Sequence, residues 1–262
     1  MKKKIVIFKK QREYIKNCID SLIFRNEARK NNADFTRDRS MNFKNLCLFI
    51  LKGIKTSLQL ELDDFYEEDI AEEGLESVSK QAFSQARTNL KPEAFQGIFK
   101  HNARTMSDVK DLDFYKDKYR LVAIDGSKTK LYNSEELREE FGTASGSEKA
   151  ASFLNSMAYD PLNNTILDAS PNHVNASERE CAKAHIEAIS KMPLKRGIKN
   201  LYLCDRGYPS VDYLSFLLDG KHNFILRVRE KFSLEYDAVK KDDTDLRLKT
   251  RQNRLVRLRK SV

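Results

Sequence analysis

Two short apolar runs of this chain each end in an aspartate, and the two aspartates are 80 positions apart. Residues 121–125 read LVAID and precede a glycine, whereas residues 201–205 read LYLCD and precede arginine and glycine. An apolar run with no solvent face and a turn signal after it predicts a buried strand. If the two strands are parallel neighbours, both carboxylates lie at one edge of the sheet, beyond the carboxyl ends of the strands.

Two carboxylates at one sheet edge could hold a pair of divalent cations, because Mg²⁺ is bound through carboxylate oxygens. The pattern therefore predicts a phosphoryl-transfer nuclease site with Asp125 and Asp205 as catalytic and metal-binding residues. Each aspartate also has an alternative interpretation. Asp125 with Gly126 is a turn signal, and Asp205 with Arg206 could be a surface ion pair that contributes roughly 0 to 1 kcal/mol.

The positive charge of the chain is concentrated at its two ends. The net charge is +9, with 13 Lys/Arg against 5 Asp/Glu in residues 1–50 and seven Lys/Arg without an acid in residues 246–262. Basic ends suit a polyanion, because each neutralised phosphate releases counterions; solvated tails are the alternative. Four dispersed cysteines without a CxxC pattern or a signal peptide predict a reduced cytosolic protein without a zinc site. The longest apolar run, residues 46–51, is too short to span a membrane.

The first 110 residues predict helices only. Apolar periodicity places them over residues 13–24, a segment from 43 to 54 capped by Ser40, and residues 57–65, 79–90 and 92–106. The helix over 79–90 would present four long polar side chains that suit DNA contact: Lys80, Gln81, Gln85 and Arg87. An ordinary amphipathic surface helix would show the same pattern, so both interpretations stay open.

Residues 61–76 contain nine acidic residues and no basic one. A stretch with this charge cannot face DNA, so it is predicted to be a solvated helix flank or a linker. Residues 108–118 are charged and lack a long apolar run, which is typical of a junction between domains.

From residue 119 the periodicity changes to that of strands. The predicted order is a strand over 119–125, a loop, a hairpin of 151–159 and 165–169, a helix opened by a capping box of Asn175 and Glu178, a strand ending at Asp205, a helix over 210–218 and a strand over 223–229. This is the order of a ribonuclease-H-like core, in which the first and fourth strands are adjacent. The predicted fold class is α/β, with a ribonuclease-H-like mixed sheet and flanking helices preceded by an all-helical N-terminal DNA-binding domain. The predicted boundaries are 1–110, 119–230, and 231–262 as the start of a truncated β-rich insertion or a basic tail.

Several segments, in this order, resemble DDE transposases of the insertion-sequence-four group, which are bacterial cut-and-paste enzymes. They are residues 123–127 (AIDGS), Tyr159-Asp160, Glu178-Arg179 and residues 204–208 (CDRGY), together with residues 35–37 and 79–90 upstream. The resemblance implies that Asp125 and Asp205 are the first two acids of a triad that binds two Mg²⁺ or Mn²⁺ ions. One ion would activate water or a DNA 3′ hydroxyl, and the other would stabilise the leaving oxygen.

The resemblance also implies what the chain binds. Double-stranded DNA, as transposon ends and target, would be bound by a homodimer in the bacterial cytoplasm, associated with the nucleoid and without a membrane. Arg206 would contact the phosphate backbone, with a salt bridge as the alternative.

The third acid of that family is a glutamate on a late helix, in the signature Tyr-x2-Arg-x3-Glu-x6-Lys. Only 57 residues follow Asp205, and Glu230 next to Arg229 lacks the spacing of the signature. The chain is therefore expected to stop inside the insertion and to be inactive as a fragment, because a two-metal site depends on its full ligand set. The alternative function is a non-catalytic DNA-binding protein or a transposition inhibitor derived from a transposase.

Overall fold

The structure is a computed structural model that describes residues 2–37, 39–107, 112–144, 150–229, 244–249 and 255–260. The chain divides into two compact units, Met1–Thr105 and Met106–Val262. Among the described residues, no helix combines the length and the apolar character that a membrane crossing requires. All four cysteines are free thiols.

The N-terminal unit is built from helices. They are α1 (Lys2–Asp20), α2 (Leu22–Ala28), α3 (Phe43–Lys52), α4 (Leu58–Asp64), α5 (Lys80–Thr88) and α6 (Glu93–Ser107). At the centre of this unit the buried ring of Phe49 packs edge-on against Phe65 and Phe83, with centroids 5.4 and 5.0 Å apart. Aromatic pairs in this geometry contribute beyond the area that they bury, so α3, α5 and the turn that follows α4 share one core.

The start of α3 differs from the prediction. Asn42, not Ser40, caps the helix by accepting a hydrogen bond from the backbone N–H of Asn45 at 2.9 Å. Ser40 lies too far from the first turn to serve as the cap, and instead its carbonyl accepts a bond from the Asn45 side chain. The predicted helix over 13–24 is also interrupted, because α1 ends at Asp20 and Ser21 caps α2.

The acidic stretch is structured and is not a linker. It contains the end of α4, a π-helical turn (Phe65–Asp69) and a 3₁₀ turn (Ala71–Glu73). Its first acid, Glu61, is only 6% exposed and accepts hydrogen bonds from the backbone N–H groups of Lys55 and Thr56. The carboxylate is therefore used inside the unit to satisfy backbone groups ahead of α4.

The C-terminal unit contains a five-stranded mixed sheet. Its strands are β1 (Tyr119–Lys130), β2 (Ser152–Asp160), β3 (Thr165–His173), β4 (Lys199–Cys204) and β5 (Asn223–Leu226), in the order β3-β2-β1-β4-β5. The β1–β2 and β2–β3 pairs are antiparallel, whereas β1–β4 and β4–β5 are parallel. The predicted ribonuclease-H-like α/β fold and the adjacency of the first and fourth strands are confirmed.

Three helices accompany this sheet: α7 (Glu135–Phe141), α8 (Glu178–Ser190) and α9 (Val211–Asp219). The segment that contains α7 was predicted to be a loop. The predicted capping box before α8 is wrong, because Ser177 is the cap and accepts from the N–H of Glu180. Asn175 instead belongs to a turn, in which its N–H donates to the His173 ring. Buried Ala182, Ile186 and Ile189 of α8 form the core of this unit with Val122 and Ile124 of β1 and Tyr202 of β4.

The last strands differ from the prediction: the fifth strand is shorter than predicted, and two further strands follow it. β5 ends at Leu226 and not at residue 229, since its partner β4 ends at Cys204 and leaves little strand to pair with. β6 (Thr244–Lys249) and β7 (Leu255–Lys260) form a separate antiparallel pair. Glu230 lies outside the described residues.

Candidate active site

The two predicted aspartates follow paired positions of adjacent parallel strands. The β1–β4 ladder ends with Ile124 opposite Cys204, so Asp125 and Asp205 are the next residues on the two strands. Ile124 and Cys204 are buried in the core, whereas both aspartates are exposed. β4 stops here, while β1 continues to Lys130 alongside β2. The sheet therefore brings both carboxylates to one open edge, as predicted, and their catalytic and metal-binding roles stay predictions.

The loop after β4 is fixed by two sets of hydrogen bonds. Asp205 Oδ1 accepts from the backbone N–H of Gly207 at 2.6 Å. From the first turn of α8, Arg179 donates through Nε to the carbonyl of Tyr208 and through Nη2 to that of Gly207, each at 3.0 Å. A charged fork on two carbonyls holds a backbone segment firmly. Sequence reasoning noted Arg179 as a matching residue but missed this positioning role, because the contact joins residues far apart in the chain.

Arg206 lies on the same loop and is exposed. Within the described part of the chain it forms no ion pair, so nothing in the described structure supports the salt-bridge alternative. An exposed guanidinium next to Asp205 is free to meet a phosphate. The contact with DNA stays a prediction.

The charges of the two aspartates affect the pKa values of two buried groups, the Cys204 thiol and the Tyr208 hydroxyl. Burial raises the pKa of the Cys204 thiol to about 11, and the negative charges of Asp205 and Asp125 act in the same direction. Burial also raises the pKa of Tyr208, with further contributions from Glu178, Asp125 and Asp205. The Tyr208 side chain is 1% exposed, and its hydroxyl has no hydrogen-bond partner within the described residues. A buried polar atom without a partner is uncommon and calls for an explanation.

Gly126 leaves the space that Glu178 occupies. A Cβ at position 126 would lie 3.2 Å from Cγ and 3.4 Å from Cδ of Glu178, and 3.1 Å from a methyl group of Leu154. Glu178 is the first residue of α8. Its side chain therefore passes directly beside the residue that follows Asp125. The sequence indicates a capping role for Glu178 and places it among the family-like segments, but it does not predict this contact, because the two residues are far apart in the chain.

The donor groups at this edge are suited to a hard divalent cation. Asp125 and Asp205 offer exposed carboxylate oxygens, which are the ligands that Mg²⁺ and Mn²⁺ prefer. As the side chains stand, no three His, Cys, Asp or Glu residues of the described ranges form a group able to hold a metal ion. The two carboxylates therefore provide the type of ligand that the expected metal ion prefers.

A second polar cluster in this unit looks like a hydrolase triad but is closed to substrate. His185 on α8 lies 2.7 Å from Asp168 Oδ2 through Nδ1 and 3.0 Å from Ser156 Oγ through Nε2. Ser156 and His185 are 0% and 1% exposed. A nucleophile must reach its substrate, so this cluster has a structural role and ties α8 to β2 and β3.

The predicted DNA-facing residues of α5 are all exposed: Lys80, Gln81, Gln85 and Arg87. Phe83 of the same helix is buried, and the Arg87 guanidinium one turn later lies 5.8 Å from its ring centroid. Gln85 also lines a cavity of about 430 Å³ together with Arg37 and Arg39. The exposure agrees with either interpretation of α5, so DNA binding by these residues stays a prediction.

A mixed sheet in the order β3-β2-β1-β4-β5, with α8 packed against it, defines the C-terminal unit as a ribonuclease-H-like domain. A family profile described as "Transposase DDE domain" matches residues 116–262, which is more than half of the chain. The chain therefore belongs to the DDE transposase family.

Comparison with solved structures gives a similarity to the piggyBac transposase in a cryo-EM structure of its synaptic complex with hairpin DNA. The sequence identity is 12% and the TM-score 0.46, over 94% of this chain and 60% of the piggyBac chain. The present chain thus spans less than two thirds of that protein. No curated protein sequence matches the chain.

Proposed function

We propose that this chain acts in cut-and-paste DNA transposition, as a transposase of the insertion-sequence-four group that cleaves and transfers phosphodiester bonds with divalent metal ions. The observation that carries the proposal is the register of β1 and β4, which ends with Ile124 opposite Cys204 and makes Asp125 and Asp205 neighbours. Family membership makes phosphodiester chemistry the expected use of two carboxylates at this position.

In this proposal Asp125 and Asp205 hold Mg²⁺ or Mn²⁺. A bound ion of this kind supplies Lewis acidity to a phosphodiester and lowers the pKa of an attacking water or hydroxyl. Gly207 keeps the Asp205 carboxylate in one orientation through its N–H, and Arg179 keeps Gly207 in place. Arg206, which is exposed on the same loop, contacts the phosphate backbone of the DNA through the non-bridging oxygens.

Double-stranded DNA, as transposon ends and target, is the proposed partner, bound by a homodimer in the bacterial cytoplasm. The exposed Lys80, Gln81, Gln85 and Arg87 of α5 support this proposal. Their charged and amide groups suit phosphates and base edges.

The proposal is tested by a cleavage assay on a plasmid that carries the DNA flanking the coding sequence. If the chain is active, we expect Mn²⁺-dependent strand cleavage at the ends of the element and its loss in the Asp125→Ala variant. If the chain is inactive as a fragment, as the sequence predicts, the unaltered protein will not cleave. Arg196→Ala, a change at an exposed residue that precedes β4, at the opposite end of that strand from Asp205, is the control and should cleave normally. Cleavage that is unaffected by Asp125→Ala would exclude this site.

A second function has an observation in its favour. Within the described residues, no third acid stands close enough to Asp125 and Asp205 to complete a metal site. A chain of this kind could bind transposon ends without cutting them and act as an inhibitor of transposition. Retained binding to the same flanking DNA, with no cleavage in Mn²⁺ by the unaltered chain, would favour this function over catalysis.

A further inference from the structure

The side chain of Glu178 lies close to Gly126, although its position in the first turn of α8 does not require such a contact. The missing Cβ of Gly126 makes room for the Glu178 side chain, whose carboxyl carbon would lie only 3.4 Å from that atom. A methyl group at position 126 would require the Glu178 side chain and the Leu154 methyl group to shift by a few tenths of an ångström. Glycine thus leaves room for Glu178 beside the residue that follows Asp125.

The charge of Glu178 has no partner in the described structure. Glu180, in the same first turn of α8, pairs with Lys183 at 2.9 Å. Glu178 forms no ion pair or hydrogen bond with any described residue. A carboxylate in the first turn of a helix is favoured by the helix dipole, but that effect applies to Glu180 as well and does not explain the contact with Gly126.

The sheet is open where Glu178 approaches it. The β1–β4 ladder ends at Ile124 and Cys204, so on the β4 side β1 has no ladder partner at positions 125 and 126. An open edge lets side chains from the two faces of a sheet approach one point. A second observation concerns Tyr208, whose buried hydroxyl has no hydrogen-bond partner among the described residues. Burial raises the pKa of Tyr208, and the charges of Glu178, Asp125 and Asp205 add to this effect.

We propose that Glu178 is a third carboxylate ligand for the divalent cation held by Asp125 and Asp205. This inference rests on the proposed function, since it assumes that the two aspartates bind the ion. The three carboxylates do not form a metal-binding group as they stand, so ligation requires the exposed Glu178 side chain to change its rotamer.

The test is calorimetric titration of the full chain with MnCl2 in the absence of DNA, so that cleavage activity plays no part. Glu178→Gln keeps the shape of the side chain and removes its charge. We expect a loss of Mn²⁺ affinity of about tenfold or more, because affinity for such ions follows the number of charged ligands. Glu180→Gln makes the same charge change in the same helical turn and should alter the affinity by less than about twofold. Circular dichroism and thermal unfolding without metal establish that the variants are folded.

A further variant separates ligation from general electrostatics. Glu178→Asp keeps the charge but withdraws the carboxylate by one methylene, so it should also weaken Mn²⁺ binding. Wild-type affinity in Glu178→Gln, an equal loss in Glu180→Gln, or full affinity in Glu178→Asp would each overturn the role of Glu178.

The aspartates are tested in the same experiment. If Asp125→Asn and Asp205→Asn lose affinity while Glu178→Gln does not, the inference fails and the proposed function stands. If the aspartate variants bind Mn²⁺ like the wild type, or the wild type binds none, both fail.

Discussion

Arg179 at the start of α8 donates a hydrogen bond of 3.0 Å to the backbone carbonyl of Tyr208. With its second bond, to Gly207, it links the helix that begins at Glu178 to the loop that contains Asp205. The guanidinium of Arg179 thus holds the start of α8 against the loop that carries Asp205. A substitution that weakens these hydrogen bonds should therefore leave the Asp205 side chain less firmly positioned at the sheet edge.

Arg179→Lys tests this link. A lysine ammonium lacks the planar fork that serves two carbonyls at once, so we expect the free energy of unfolding to fall by about 1 kcal/mol. Mn²⁺ affinity should fall as well, because the loop of Asp205 becomes less well held. Chemical denaturation and calorimetry measure the two effects. Arg196→Lys is the control, and an equal effect in that variant would remove the special role of Arg179.

The buried cluster of His185, Asp168 and Ser156 should govern stability and not chemistry. Asp168→Ala leaves His185 Nδ1 without its partner at 2.7 Å, and an unsatisfied buried polar group costs about 1 to 3 kcal/mol. We expect a corresponding loss in the free energy of unfolding, measured in urea, with no change in Mn²⁺ affinity. Glu187→Ala, at an exposed residue of α8, is the control and should change the free energy of unfolding little. A stable Asp168→Ala variant would show that this cluster does not hold α8 to the sheet.

The strand pair that carries Asp125 and Asp205 could be predicted because its signals are local: a buried apolar run, an acid and a glycine. The adjacency of the two strands then follows from the ribonuclease-H-like order, whereas their register is known from the structure. α7 was missed because only Leu137 and Phe141 are apolar in its seven residues, too few for a helical stripe.

The remaining features of the site depend on packing, which a single sequence does not report. The contacts of Arg179 with Gly207 and of Glu178 with Gly126 join segments that are distant in the chain. The cap of α8 was misassigned because Asn175 and Ser177 are both good capping residues. The path of the chain, with the N–H of Asn175 bound to the His173 ring, decides between them.

Glu61 predicts a pH dependence for the N-terminal unit. Hydrogen bonds from the N–H of Lys55, and then from Thr56, hold the pKa of Glu61 below its ordinary value. The folded state therefore favours the carboxylate, so its stabilisation is present above the unfolded-state pKa and is lost as the pH falls through the lower folded-state pKa. Glu61→Gln should be less stable than the wild type at pH 7, and the difference in melting temperature should shrink below about pH 4. A difference that is constant with pH would contradict this account, and Glu68→Gln on the exposed surface serves as the control.

Lys80 and Arg87 predict a salt dependence of DNA binding. If both contact phosphates, Lys80→Ala and Arg87→Ala should each weaken binding to duplex DNA and each reduce the slope of log K against log salt by about 0.9. Fluorescence anisotropy at several salt concentrations measures the slope. Lys100→Ala, an exposed change on α6 in the same unit, should leave the slope as in the wild type. Unchanged slopes in the α5 variants would make α5 an ordinary surface helix.

The central claim is that Asp125 and Asp205 bind one shared divalent cation. A double-mutant cycle on Mn²⁺ affinity tests it most directly, with Asp125→Asn, Asp205→Asn and the double variant titrated by calorimetry. Two ligands of the same ion act as a unit, so each single variant should lose nearly as much affinity as the double variant. Independent losses that add in the double variant, or Mn²⁺ binding that survives both substitutions, would contradict the claim.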